Sequence, residues 1–165
     1  MANEINPDDY LKVTNLVKWF GDDPAVDNIS FSIPKGSFLT LLGPSGCGKT
    51  TTLMSIAGLH SIDGGHIQVC DLVYTAPEKG IFLPPEQRDI GMVFQSYAIW
   101  PHMTVTQNVA YPLEVRKVHQ DEIDSRVADV LELVGLTDMA AKMATQLSGG
   151  QQQRAALARA IISKP

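Results

Sequence analysis

Gly43-Pro44-Ser45-Gly46-Cys47-Gly48-Lys49-Thr50 satisfies every fixed position of the pattern G-x-x-x-x-G-K-[ST]. Three glycines let successive backbone N–H groups turn inward on an anion, because a residue without a Cβ takes the backbone angles that such a nest requires. Lys49 adds a full positive charge directed at terminal phosphates, and the Thr50 hydroxyl suits the Mg²⁺ that accompanies them. Upstream, Phe38-Leu39-Thr40-Leu41-Leu42 is a mostly apolar run of strand length, expected as a buried parallel strand. Downstream, residues 51–57, opening with Thr51, predict a helix stopped by Gly58. A strand entering the loop and a helix leaving it put the helix N-terminus under the phosphates. The plainer alternative is a glycine-rich turn that binds nothing, and the complete pattern in its strand-and-helix setting weighs against it.

The bulk composition bounds the rest. A chain of 165 residues, 44% hydrophobic and 19% charged, suits one ordinary globular domain with a core. Its net charge of −5, with no Lys/Arg-rich block, argues against a general nucleic-acid surface. No apolar run approaches the roughly 18 residues of a membrane helix, and the start Met1-Ala2-Asn3-Glu4 lacks the layout of a signal peptide, so a cytoplasmic protein is expected. Cys47 and Cys70 are too few and too isolated for a disulfide framework or a metal site. His60, His66, His102 and His119 are scattered and are expected to be surface or packing residues rather than ligands.

Outward from the loop, residues 1–9 carry no pattern and are expected as a loose start. Residues 10–20 have strand character, and residues 29–33 alternate apolar and polar as a half-buried strand does. Pro34-Lys35-Gly36 is a turn, Ile62-Asp63-Gly64-Gly65 is another, and residues 66–70 form a short alternating strand. Residues 71–88, with four of the prolines and glycines, are expected mainly as loop. Residues 90–94 are again strand-like and deliver Gln95 to the strand end, where α/β sheets place ligand-facing groups. Pro101 and Pro112 then interrupt the pattern. Ile123, Val127, Val130, Leu131 and Val134 recur at helical spacing, Gly135 closes that helix, and a short helix is expected over residues 138–146. The expected organisation is α/β: a nucleotide-binding core over residues 1–95, a helical subdomain over 96–146, and a further segment over 147–165.

That last segment holds a second anion site. Leu147-Ser148-Gly149-Gly150-Gln151 precedes a run of strong helix formers, Ser148 is a good N-cap, and two glycines expose N–H groups at a positive helix end. Alone, the pentapeptide suits an ordinary capped helix equally well. With the residues that follow, Leu147-Ser148-Gly149-Gly150-Gln151-Gln152-Gln153-Arg154 resembles the signature motif of ABC-transporter ATPase subunits. The order of phosphate loop, Gln95 and signature matches that family from Tyr10 onward. Within it, the stretch from Gln95 through Trp100-Pro101-His102 to Val105 resembles the importer ATPases of the ferric-iron, polyamine and sugar groups.

The resemblance implies a P-loop NTPase core with an N-terminal antiparallel β region and an inserted helical subdomain. It also implies a head-to-tail dimer in which each ATP lies between the phosphate loop of one subunit and Ser148, Gly149, Gly150 and Gln151 of the other. Gln95 would contact Mg²⁺ and the attacking water, and its loop would sense a membrane-spanning permease subunit at the inner face of the membrane. Phe20 resembles the aromatic that stacks on adenine, with Trp19 an adjacent competitor. The family continues with a strand ending in Asp, a catalytic Glu and a switch His, none of which can be assigned here. The chain is therefore expected as a fragment that binds nucleotide with weak or absent turnover. A soluble ABC-type ATPase acting on ribosomes or DNA, and a non-catalytic nucleotide-binding module, are the alternative functions.

Overall fold

The computed structural model describes residues 9–165, so the start expected to be loose lies outside the described residues except for Asp9. The chain forms two compact units that divide between Asp89 and Ile90.

The first unit is built on an antiparallel sheet of β1 (Leu11–Phe20), β2 (Asp23–Ile33), β3 (Gly64–Val69), β4 (Leu72–Ala76) and β5 (Ile81–Phe82), in the order β2-β1-β3-β4-β5. β1 and β2 make a hairpin whose register runs from Leu11 opposite Ile33 to Phe20 opposite Asp23. The register shifts between Val13 and Leu16, where Asn15 takes φ 49 and its N–H donates to the Ser30 hydroxyl at 2.8 Å. This irregularity explains why Val13 and Leu16, three apart and so on opposite faces of a regular strand, are both buried. They pack with Val26, Ile62, Ile67 and Tyr74 in the core of this unit.

The helix after the phosphate loop, α1 (Lys49–Ala57), forms as its sequence predicts and ends at Gly58 in the left-handed conformation. Two features of this unit differ from expectation. Residues 71–88 are not mainly loop: β4 follows β3 across a tight turn and β5 pairs with β4, while the prolines lie in 3₁₀ turns at Pro77–Lys79 and Pro85–Gln87. The run 38–42 is not a strand, and Phe38 is 94% and Leu42 88% exposed. A parallel strand needs a hydrogen-bonded neighbour as well as an apolar composition, and among the described residues none pairs with this run.

Arg88 fastens this unit together. Wholly buried, it donates to the carbonyls of Ser55 and Ile56 at the end of α1 at 2.9 and 2.8 Å, to the Leu83 carbonyl at 2.7 Å and to the Thr75 hydroxyl at 2.8 Å. Its guanidinium also lies against the rings of Tyr74 and Phe82. Burial pushes its pKa below the usual guanidinium value, with the Tyr74 hydroxyl opposing that shift.

The second unit packs α2 (Val105–Val115), α3 (Gln120–Leu133) and α4 (Gly149–Ile161) around one apolar cluster that includes Val105, Val109, Leu113, Ile123, Val127, Leu136, Ala155 and Ala158. α3 agrees with its periodicity, and Gly135 follows it at φ 63. α2 was hidden by Pro112, which sits inside it. Its start is nonetheless marked by a capping box in which Thr104 accepts from the Gln107 N–H and the Gln107 side chain accepts from the Thr104 N–H. The single helix expected over 138–146 is instead two 3₁₀ turns, Thr137–Met139 and Ala144–Gln146. Between them Thr106 N–H donates to the Ala140 carbonyl and Thr104 bridges to Met143, interactions that pull the backbone out of a continuous helix. Residues 90–94 are not a strand either, for the same lack of a paired neighbour.

Candidate nucleotide site

The phosphate loop is closed by Gly48, which caps α1 at φ 86 and ψ 3 with no side-chain hydrogen bond. Any Cβ at this position would overlap the Ala25 carbonyl oxygen on β2, so both the backbone angle and the close approach require glycine. The first N–H groups of α1 therefore keep no side-chain acceptor, the condition in which a helix start receives an anion. Thr52 does not fill this role, since its hydroxyl donates to the Gly48 carbonyl at 2.9 Å.

Lys49 turns back over the loop, and its Nζ donates to the carbonyls of Gly43 at 2.8 Å and Pro44 at 2.7 Å and lies 3.3 Å from Cys47 Sγ. An ammonium held by neutral acceptors in an exposed loop gains by exchanging them for phosphate oxygens, because charge-assisted hydrogen bonds are the stronger ones. Gly43, Pro44, Ser45, Gly46, Cys47 and Thr50 are all exposed around it. The loop therefore fits a phosphate group: positive charge, uncapped helix donors and an open mouth occur in one eight-residue stretch.

The adenine candidates sit at the end of the β1–β2 hairpin. Ala25, which abuts Gly48, lies only two residues along β2 from Asp23, the partner of Phe20. That spacing is roughly 7 Å along a strand. Asp63 anchors the hairpin end, accepting from the Trp19 N–H at 2.6 Å and pairing with Lys18 at 3.3 Å. Phe20 is 48% and Trp19 43% exposed, so neither is the core residue that would leave the role to the other. The Phe20 ring meets His60 edge-on with centroids 5.4 Å apart, which fixes its plane, and Lys18 Nζ stands 5.4 Å from its centroid.

Gln95, Ser148, Gly149, Gly150 and Gln151 belong to the second unit. Gln95 is exposed and lies in a turn closed by the Tyr97 N–H and the Phe94 carbonyl at 2.9 Å, rather than at a strand end. Ser148 caps α4 in a full capping box: its hydroxyl accepts from the Gln151 N–H and the Gln151 side chain accepts from the Ser148 N–H. Gly149 and Gly150 are exposed, and a Cβ on either would meet nothing within 4 Å, so open space surrounds this helix start.

Sequence reading missed Arg159, whose guanidinium donates to the carbonyls of Ala98 at 2.7 Å and Tyr97 at 3.1 Å and lies 4.5 Å from the Trp100 ring centroid. It also missed Asn108, wholly buried, which accepts from the Trp100 N–H and donates to the carbonyls of Trp100 and Thr104. A polar residue on the apolar face of a helix was the available signal, but the partners are backbone atoms that no sequence pattern names. Among the described residues no group of three or more His, Cys, Asp and Glu could hold a metal by itself, and no helix is long and apolar enough to cross a membrane.

Comparison with known proteins agrees with this geometry. The chain is 54% identical over 155 residues to the trehalose/maltose import ATP-binding protein MalK of Thermococcus litoralis, covering 94% of this chain and 42% of that protein. It is 49% identical over 157 residues to the spermidine/putrescine import ATP-binding protein PotA of Pseudomonas aeruginosa, covering 94% of this chain and 41% of that one. The chain thus spans less than half the length of these relatives. A dimeric structure of a bacterial ABC transporter cassette superposes with a TM-score of 0.82 at 31% identity, covering 94% of this chain and 70% of that one. A second dimeric structure, of a post-hydrolysis state bound to ADP and Pi, gives 0.80. Residues 26–165 match the family model described as ABC transporter. On this match over most of its length, the chain belongs to the ABC transporter family and has the fold of its ATP-binding cassettes.

Proposed function

We propose that the chain is the nucleotide-binding part of an ABC importer ATPase subunit, which couples ATP binding and hydrolysis to solute import. The observation that carries this is the phosphate loop: Gly48 leaves the start of α1 uncapped and Lys49 stands on the loop carbonyls, ready to exchange them for phosphate oxygens. Gly43 through Gly48, Lys49, Thr50 and Thr51 hold the phosphates of ATP, and Phe20 stacks on the base. The Thr50 hydroxyl and the Gln95 amide oxygen are hard oxygen donors suited to Mg²⁺, which when bound neutralises charge developing on the phosphates. Gln95 orients water, and an amide oxygen is too weak a base to deprotonate it.

Ser148, Gly149, Gly150 and Gln151 bind the ATP held by a second subunit in a head-to-tail dimer, which gives one chain a use for two anion sites. The dimeric cassettes of the same fold support this reading. The names of the sugar and polyamine import relatives support an importer over an ATPase of ribosomes or DNA, as does the net charge of −5. The protein then sits peripherally on the cytoplasmic face of the membrane, held by permease subunits. A photo-crosslinking residue at Ala98, exposed three residues after Gln95, tests the partner. Capture of a membrane-spanning subunit is expected, and capture of ribosomal protein or DNA instead would refute the importer reading.

A further inference from the structure

The turn that follows Gln95 is strained. Tyr97 at φ 62 and Ala98 at φ 47 are consecutive non-glycine residues in the left-handed region, where a Cβ crowds the following carbonyl. Such a pair persists only when its surroundings over-determine it. Asn108 fixes the Trp100 backbone just beyond the turn, and the carbonyls of the strained residues themselves are held by one side chain, Arg159 of α4. Its fork takes the carbonyls of both strained residues, Tyr97 at 3.1 Å and Ala98 at 2.7 Å, while its face lies 4.5 Å from the Trp100 centroid. Trp100 in turn meets Tyr111 of α2 with centroids 4.6 Å apart and the rings tilted by 54°. On the other side of Gln95, Gly91 passes so close to the Ala160 carbonyl of the same helix that a Cβ would overlap it. Gln95 is thus bracketed by two attachments to successive residues of α4, the helix that opens at Ser148.

We infer that Arg159 is a positioning residue for Gln95: it holds the following turn in its left-handed form and makes the placement of Gln95 depend on α4. A planar two-pronged donor is needed to hold two adjacent carbonyls at once, which a lysine ammonium on its flexible stem does not reproduce. This inference rests on the proposed role of Gln95 in ATP hydrolysis, and goes beyond it in assigning a residue that touches neither nucleotide nor Mg²⁺.

The test uses the full-length protein and measures ATP affinity by calorimetry and turnover, with the emission of Trp100 followed separately in a background in which every other tryptophan, Trp19 included, is replaced by Phe. Arg159→Ala should leave the ATP Kd within about twofold, because the phosphate loop is untouched. It should lower kcat by about tenfold or more, the scale set by one non-glycine residue in the left-handed region. Trp100 emission should shift to the red as the ring loses its cover. Arg159→Lys should show the same pattern more weakly, and serves if Arg159→Ala does not fold. The discriminating variant is Arg159→Ala with Ala98→Gly: glycine occupies φ 47 without strain, so turnover should recover by most of what was lost. Unchanged turnover in Arg159→Ala and Arg159→Lys, or a loss that Ala98→Gly does not recover, would overturn the inference and leave Arg159 a packing residue. Failure of the underlying nucleotide reading is separable, since the unsubstituted protein would then not bind ATP at all, while the Trp100 shift in Arg159→Ala would still report whether Arg159 packs on the turn.

Discussion

Arg88 Nη1 lies 2.9 Å from the Ser55 carbonyl and ties the end of the helix that follows the phosphate loop to β4 and β5 of the sheet. The first prediction concerns this contact. Arg88→Ala would strip donors from several buried carbonyls, each costing roughly 1–3 kcal/mol when left unsatisfied. A loss of at least about 3 kcal/mol in chemical denaturation is expected. Arg88→Lys should recover little of it, because an ammonium cannot span the same acceptors.

The second prediction separates the two exposed aromatics. Phe20→Ala should weaken ATP binding by roughly 1–3 kcal/mol, the range for a base stacked on an aromatic side chain. Trp19→Ala should do less. The reverse order in calorimetry would transfer the adenine role to Trp19.

A third prediction concerns pH. His66 Nε2 is buried without a hydrogen-bond partner beside a hollow of about 230 Å³ that is also lined by Asn15, Glu78 and Lys79. Burial first, then the charges of Lys79 and Lys12, hold its pKa below the ordinary 6.5. The unfolded chain therefore takes up this proton before the folded one does, and the linkage has a definite sign: stability is full above pH 6.5 and falls as the pH drops below it. His66→Gln should remove that part of the slope when melting is followed between neutral pH and mild acid. An unchanged slope would show that His66 does not contribute it.

What the sequence disclosed and what it concealed divide along the range of the interactions involved. β1, α1, α3 and α4 were legible because each carries its own period or cap: Gly58 stops α1, and Ser148 with Gln151 starts α4. β4 was hidden by the prolines that follow it, although Leu72-Val73-Tyr74-Thr75-Ala76 has strand composition and only needed β3 as a partner. α2 was hidden by Pro112, although Thr104 and Gln107 announced its start. Residues 38–42 and 90–94 show the converse, for strand composition alone does not pair a strand. In the site, the phosphate loop is local and was read whole. Arg88 and Arg159 were invisible because most of their hydrogen-bond partners are main-chain carbonyls, in Arg159 more than 60 residues away.

The most direct measurement of the central claim is calorimetric titration of Mg-ATP into the folded protein and its Lys49→Ala variant. Lys49 Nζ is the side-chain cation standing on the loop carbonyls, 2.7 and 2.8 Å from Pro44 and Gly43, and its removal leaves the phosphates only the backbone donors. The account predicts binding by the unsubstituted protein and loss of most of that affinity in Lys49→Ala, with circular dichroism unchanged. Equal affinity in the two proteins would contradict the assignment of residues 43–50 as the nucleotide site.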